Sequence, residues 1–250
     1  MLITTEGIVI RERFVGENDK YIDILTKEYG IIEVSVKGAK KINSKTSGST
    51  QIYTYSKFCF SQKGDRYFLN SCEPIKVFYN IRLDVNKFAL SSYFSELLKF
   101  SVVSQVPSEN VLRLFLNTLH YMTESTRSEA FLKSVFELRL MTEIGLMPDL
   151  VACAKCHEYS SNKNYFYINN SCFICEKCYS GDLSDDVMEI NEAVLHTLRF
   201  IIFSDFNKLF NFKISDNVQK MLSVLTERYL LSHMNRNFKT LEFYKSLLVV

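Results

Sequence analysis

The sequence predicts an α+β fold in which a small closed β-barrel comes first and an all-α domain with a cysteine-rich insert follows. Short segments rich in β-branched and aromatic residues occupy roughly the first 75 positions, and several of them alternate apolar with polar residues. Farther along, apolar residues recur at spacings of three and four, which is the period of a helix. We therefore expect one domain at 1–78 and a second at 79–250, with the insert at about 150–182.

The barrel prediction rests on five short strands separated by turn-like spacers such as VGENDK, KEYG and QKGD. Five strands in about 70 residues suit a closed barrel, because closure removes the unpaired edges of an open sheet. Pro74 is expected to end this region. The predicted strands are 7–14, 21–26, 31–38, 52–60 and 66–71.

Apolar stripes predict the helices of the second domain. One stripe includes Leu90 and Leu97, and a second runs from Val111 to Met122. We expect Ser108 to cap the helix that carries the second stripe. The remaining predicted helices run from Ser128 to Leu146, from Asn191 onward, and along a stripe from Val218 to Tyr229.

The composition favours a folded protein away from the membrane. Of 250 residues, 47% are hydrophobic and 23% charged, a balance typical of globular domains. A net charge of +2 favours no partner by itself. The N-terminus lacks a signal-peptide pattern, and the richest apolar run, LRFIIF, is far shorter than the ~20 residues of a membrane span. We expect a cytoplasmic protein, in which the seven cysteines are metal ligands or core thiols rather than disulfides.

Four of these cysteines have the spacing of a zinc ribbon. Cys153 and Cys156 form one C-x2-C pair, and Cys175 and Cys178 form another 18 residues later. The segment YFYI between the pairs predicts a strand, and NNS at 169–171 predicts a turn in which Asn tolerates a left-handed backbone. Two alternatives stay open: a redox dithiol pair, and cysteines with no shared role.

A fifth cysteine, Cys172, makes the choice of ligands ambiguous within CFICEKC. The segment CEKC mirrors CAKC, whereas CFIC would place two large apolar residues inside a tight turn. We therefore expect Cys172 to be the surplus thiol and to continue a strand. A Zn²⁺ bound by four thiolates has no open coordination position, so the predicted single zinc is structural and not catalytic.

A basic segment follows the third predicted strand. VKGAKKINSK at 36–45 contains Lys37, Lys40, Lys41 and Lys45 and no acid. Such a segment is either a solvated hairpin tip or a surface for phosphates. Arg11 and Arg13 share one side of the first strand by its two-residue period and could extend a basic surface. The aromatic residues that could stack on bases are Tyr53, Tyr55, Tyr67 and Phe68, and each of them could equally be a core residue. A barrel with a basic face and aromatic residues is typical of OB folds that hold single-stranded nucleic acid.

The segment EGIVIRERFVGENDKYIDILTKEYGIIEVSVKGAKKINSK at 6–45 resembles the opening of the bacterial RecO family. The shared elements are the Glu-Gly-Ile-Val start, GENDK, the Tyr-Gly turn and VKGAKK, and the likeness extends over the whole chain. Two departures are visible: Asn169 and Asn170 replace glycines often found before the second cysteine pair, and Cys172 is extra. The resemblance implies an N-terminal OB-fold β-barrel followed by an all-α domain that carries a four-cysteine zinc-ribbon insert.

The resemblance also implies function. Proteins similar to RecO bind single- and double-stranded DNA, anneal complementary strands and associate with RecR. They help to load RecA onto DNA coated by the single-stranded-DNA-binding protein SSB. We expect a non-enzymatic protein at the nucleoid, since no phosphate loop, nucleophile elbow or HExxH motif is present. The alternatives are an RNA-binding or translation-associated OB-fold protein with a zinc ribbon, and a thiol-based redox enzyme.

Overall fold

The computed structural model describes residues 2–40, 46–124, 127–181 and 186–248. The chain divides into two compact units, one formed by 1–124 together with 238–250 and the other by 125–237. No helix in the described ranges combines the length and hydropathy that crossing a bilayer requires.

The first unit begins with a closed five-stranded barrel, which confirms the predicted fold class. The strands are connected in the order β1-β2-β3-β5-β4, and β4 pairs with β1 to close the barrel. All pairs are antiparallel except β3 with β5, which are parallel over two residue pairs, Val34 with Tyr67 and Ser35 with Phe68. The strands are β1 Leu2–Val15, β2 Asp19–Thr26, β3 Ile31–Val36, β4 Thr54–Lys63 and β5 Arg66–Val77.

Alternating residues of these strands fill the barrel. Ile22 and Ile24 of β2, Val34 of β3, and Phe58 and Phe60 of β4 are completely buried. The two phenylalanine rings stack with their centroids 5.5 Å apart. The two-residue period of the sequence therefore separates an apolar interior from an outer face that is free to carry charge.

Pro74 does not end the strand region as predicted, because it lies inside β5. A proline has no N–H for a neighbouring strand, so it is tolerated only where one side of its strand is unpaired or where the ladder is irregular. Both conditions hold here: β3 pairs only with Tyr67 and Phe68 of β5, and the β4–β5 register shifts between the pairs formed by Lys76 and Pro74.

The described residues contain six α-helices after the barrel: α1 Val85–Ser101, α2 Glu109–Glu124, α3 Glu129–Glu143, α4 Glu192–Phe203, α5 Asp216–Met234 and α6 Lys239–Leu247. The side chains of Ser128 and Asn191 cap α3 and α4 by accepting backbone N–H bonds, and α2 begins directly after Ser108. The helix α3 ends three residues before the predicted Leu146, because Gly145 turns the backbone into the left-handed region at φ +86°.

The loop of residues 102–108, between α1 and α2, lies against the β2–β3 turn of the same unit. The N–H of Gln105 donates to the carbonyl of Tyr29 over 2.9 Å, and the N–H of Ser108 donates to the carbonyl of Lys27 over 2.9 Å. Gly30 permits this approach, since a Cβ there would lie 2.1 Å from the carbonyl oxygen of Val103. We call this segment the 102–108 loop.

The second unit combines helices with a small sheet. The strands β6 Lys163–Tyr167, β7 Cys172–Cys175 and β8 Val187–Asn191 pair in the order β7-β6-β8. The strand β8 was not predicted. The helices α3 and α5 meet through a buried cluster in which the ammonium of Lys133 lies 2.7 Å from the carboxylate of Glu137 and 2.8 Å from that of Glu227.

Candidate metal centre and nucleic-acid interface

The two C-x2-C pairs form matching turns. The carbonyl of Cys153 accepts the N–H of His157 over 3.0 Å, and the carbonyl of Cys175 accepts the N–H of Tyr179 over 3.1 Å. Each turn directs two thiols to the same point, and the sulfur atoms of all four predicted cysteines lie within 4.8 Å of one another. The structure therefore brings Cys156 and Cys178 together with the two cysteines that begin the turns.

This sulfur arrangement fits a tetrahedral metal ion. A Zn–S bond of about 2.3 Å places the ligands of a tetrahedral site about 3.8 Å apart. The sulfurs of Cys156 and Cys175 are 3.5 Å apart, and no pair in the cluster exceeds 4.8 Å. Four thiolate donors at these separations are compatible with a closed, structural metal site.

The protein around the cluster favours one ionised thiol before a metal binds. Burial alone would raise the pKa of Cys153, but backbone hydrogen bonds from Cys156, Cys175 and Lys155 lower that pKa to about 6. One of these bonds, from the N–H of Cys175 to the sulfur of Cys153, spans 3.3 Å. The pKa of Cys178 is raised to about 12, chiefly by its hydrogen bond with Cys156. Metal binding would therefore release protons from the cluster.

Cys172 lies outside the sulfur cluster. It begins β7, where it pairs with Tyr167, and its side chain is half-buried. The pKa of its thiol is raised, first by burial and then by the charge of Asp149. One detail of the predicted turn is wrong: the left-handed residue before β7 is Ser171, at φ +56°, and neither of the preceding asparagines.

Arg199 of α4 anchors the first cysteine turn, and the spacing of the cysteines gave no indication of this role. Its guanidinium donates to the carbonyl of Leu150 over 2.6 Å and to that of Val151 over 3.2 Å. It also lies 3.8 Å from the centroid of the Tyr159 ring. The cysteine cluster is thus attached to α4 of the second unit by a buried cation.

The predicted basic segment is described in part. Lys37 and Lys40 follow β3 and are exposed, whereas Lys41 and Lys45 lie outside the described residues. The ammonium of Lys40 is 4.6 Å from the centroid of the Phe14 ring. Lys37 lines a groove on the barrel, which is described below.

Arg11 and Arg13 occupy one side of β1, as the strand period predicts, but each has an acidic partner. Arg13 lies 3.0 Å from Glu33, and Arg11 lies 4.0 Å from Asp23. The side chain of Arg13 is 53% exposed, and that of Arg11 is 55% exposed. Their positive charge is therefore partly neutralised, although the guanidinium groups remain accessible to solvent.

Two adjoining depressions cross the outer face of the barrel where β3 meets β5. The volume of the first is about 540 Å³, and that of the second is about 500 Å³. Ser35 and Phe68, which pair across the parallel seam, line both depressions. We call the two together the barrel groove; its cationic side chains are Arg13, Lys37, Lys63 and Arg66.

Phe68 is the candidate aromatic that the barrel groove presents to solvent. It is half-buried and lies at the junction of the two depressions. Tyr53 is completely buried, and Tyr67 packs in the barrel core with 7% exposure. The hydroxyl of Tyr55 donates to the carboxylate of Glu6. Of the four aromatics named from the sequence, Phe68 is thus the one available for stacking; the half-buried ring of Tyr21 also lines the first depression, 5.4 Å from the guanidinium of Arg13.

Lys63 and Arg66 were missed by sequence reasoning. They flank the tight β4–β5 turn in the segment QKGDRY, and both are exposed. Basic residues on either side of a predicted hairpin turn were the signal that could have identified them. Their distance from Lys37 along the chain concealed that all three line the same groove.

Family models and relatives of known name identify the same family over nearly the whole chain. The family model described as "Recombination protein O N terminal" matches residues 1–78, and the one described as "Recombination protein O C terminal" matches residues 82–242. The protein named "DNA repair protein RecO" in Acetivibrio thermocellus is 32% identical over 245 residues, 98% of this chain and 97% of the relative. The protein of the same name in Alkaliphilus metalliredigens is 31% identical over 249 residues, 99% of this chain and 100% of the relative. The chain therefore belongs to the RecO family of DNA repair and recombination proteins.

Proposed function

We propose that this protein is a DNA-binding recombination mediator that acts by binding, without catalytic turnover. The barrel groove is the observation that carries the proposal, because four cationic side chains surround the half-exposed ring of Phe68. OB folds hold single strands in this manner: cations contact the phosphates and an aromatic ring stacks on a base. The groove also contains two acids, Glu33 and Asp65, so its attraction for DNA is moderate.

The DNA path would cross the seam between β3 and β5. Lys37 and Lys63 line one depression, Arg66 and Arg13 line the other, and Phe68 lies between them. Lys40, Lys41, Lys45 and Arg11 would extend the contact to phosphates beyond the groove. In this proposal residues 1–78 are the nucleic-acid-binding domain, and 79–250 form the helical domain with the zinc insert.

The partners in the proposal are those that the resemblance to RecO implies. We propose binding to single- and double-stranded DNA, annealing of complementary strands, and association with RecR. The complex would act on SSB-coated strands and promote their transfer to RecA in recombinational repair. Such a protein works in the cytoplasm at the nucleoid.

The metal in the proposal is one structural Zn²⁺ bound by the four clustered cysteines. Thiolates favour zinc over the hard cations Mg²⁺ and Ca²⁺, and four of them close the coordination sphere. The ion would stabilise a ribbon that is too small to bury a sufficient core by itself. This zinc has no place in the annealing step.

The test is an annealing assay on complementary DNA strands that have been coated beforehand with the cognate SSB. We expect the protein to accelerate duplex formation at stoichiometric amounts, with no change to the strands after they are separated again. An RNA competitor of the same sequence and length distinguishes the alternative function. Absence of acceleration, or preferential inhibition by the RNA, would contradict the proposal.

A further inference from the structure

We propose that Gln105 contacts the bases of single-stranded DNA in the barrel groove and confers a preference for adenine. The inference rests on the proposed function, since it assumes that DNA occupies this groove. It assigns a base-contacting role to a residue outside the barrel strands.

The 102–108 loop forms one wall of the groove. Ser104 and Gln105 line the same depression as Arg66 and Phe68, although they are separated from β5 by the whole of α1. The loop therefore places neutral polar side chains opposite the cations of the strands. A strand of DNA in the groove would meet both kinds of group.

The backbone of Gln105 is held in a conformation that few residues adopt. Its φ is +65°, in the left-handed region that is uncommon for residues other than glycine. Such a conformation persists when the surrounding structure fixes it, and it is concentrated at functional sites. Two contacts fix it here: the N–H bond to the carbonyl of Tyr29, and the close approach of Val103 to Gly30.

The side chain of Gln105 is exposed and available for a ligand. Its amide forms no hydrogen bond to any residue that the structure describes, so one acceptor and two donors face the groove without a partner. Phosphates accept hydrogen bonds only, whereas a base edge presents donors and acceptors together. A neutral amide suits the base edge, and the neighbouring arginines suit the phosphate.

Adenine is the base that this chemistry favours. The glutamine amide can donate to N7 of adenine and accept from its N6 amino group at the same time. This edge is accessible in single-stranded DNA, where an unstacked base can turn toward a protein side chain. Stacking on Phe68 would be tolerant of sequence, so discrimination would come from Gln105.

The experiment measures binding of fluorescent single strands that contain thymine with regularly spaced adenine. The matched ligand carries the 7-deaza analogue, which lacks the N7 acceptor and is otherwise the same. We expect the full-length protein to bind the adenine strand about fivefold more tightly than the analogue, at the lower end of the range for a bidentate base contact. Equal affinity for the two strands would overturn the inference.

Two variants assign the effect to the side chain. Gln105→Gly removes the amide and accepts the left-handed backbone, so we expect it to fold normally and to lose the adenine preference. Its salt dependence should be unchanged, because no cation is removed. Gln105→Asn also tolerates this backbone, and its shorter amide should keep part of the preference. If both variants discriminate as the parent does, the inference is wrong.

The outcomes separate this inference from the proposed function. If alanine variants of the groove cations weaken binding while Gln105→Gly has no effect, DNA occupies the groove and only the role of Gln105 fails. If those cation variants bind single strands as tightly as the parent, the groove is not the binding site and both proposals fail.

Discussion

Replacing Lys37, Lys63 and Arg66 together with alanine should flatten the salt dependence of single-strand binding. All three side chains are exposed, line the barrel groove and form no ion pair with any described residue, so each is free to meet a phosphate. Each phosphate contact on single-stranded DNA contributes about 0.7 to the slope of log affinity against log salt. The triple variant should therefore have a slope lower by about two.

The assay is a titration of a fluorescent single strand at salt concentrations from about 50 to 200 mM. Over that fourfold range, the affinity of the variant should fall about 20-fold less than that of the parent. The effect should be the same for different sequences, because phosphate contacts carry no base information. Thermal stability should barely change, since exposed cations contribute little to it.

A matched control is Lys57→Ala. Lys57 is an exposed lysine on β4 of the same barrel and does not line the groove, so its removal should leave the slope within the error of the parent. The reasoning is refuted if the triple variant keeps the parental slope, or if Lys57→Ala lowers the slope as much per residue. Either result would indicate that DNA binds to another surface of the protein.

Three further experiments test other parts of the structure. Cys178→Ser should abolish zinc binding, measured by elemental analysis, and lower the thermal stability of the second unit. Cys172→Ser should retain one zinc per chain. The reverse result would make Cys172 the zinc ligand and Cys178 the surplus thiol. Lys133→Met should lower the free energy of unfolding, measured in urea, by about 3–5 kcal/mol, because it leaves the fully buried Glu137 carboxylate without its cation. The control is Lys163→Met, which breaks the exposed ion pair with Glu189 and should lower the free energy of unfolding by less than about 1 kcal/mol. Equal losses in the two variants would contradict the argument. Gly30→Ala should displace the 102–108 loop, because its Cβ would collide with the carbonyl oxygen of Val103. We expect the free energy of unfolding to fall by about 1–3 kcal/mol and the adenine preference to weaken. An unchanged preference would show that the loop tolerates the shift.

The stability contribution of Lys133 also has a predicted pH dependence. Burial alone would lower the pKa of its ammonium group, but the charges of Glu137 and Glu227 outweigh burial and raise the pKa above 10.5. A raised folded-state pKa means that the contribution is fully present at neutral pH and is lost as the pH rises through that value. The difference between the parent and Lys133→Met should therefore shrink at strongly alkaline pH.

The features that the sequence predicts well are governed by local periodicity. The alternation in the first five segments predicts strands whose apolar residues do fill a barrel, and Ser128 and Asn191 do cap helices. Pro74 was misinterpreted because its tolerance depends on how far β3 extends beside β5, which no local pattern encodes. The strand β8 was missed for a similar reason, since its pairing with β6 is a tertiary contact.

In the candidate sites, too, local features were predicted from the sequence and features that depend on tertiary contacts were missed. The cysteine spacing predicts the four residues that cluster, because each C-x2-C pair is a local turn. The barrel groove depends on parallel pairing between β3 and β5, which brings Lys37 close to Lys63 and Arg66 from distant parts of the chain. Gln105 is more remote still, and neither its position in the groove nor its left-handed backbone could be predicted from its neighbours.

The packing of the 102–108 loop affects how deletion experiments on this protein should be interpreted. A fragment that ends at residue 78 would keep all five strands, yet it would lack Ser104 and Gln105 and leave the carbonyls of Lys27 and Tyr29 without their partners. Weak DNA binding by such a fragment would be taken as a sign that the helical region has a separate DNA site. If DNA binds in the proposed groove, an incomplete groove would give the same result, so a fragment should include the 102–108 loop before its affinity is attributed to the barrel.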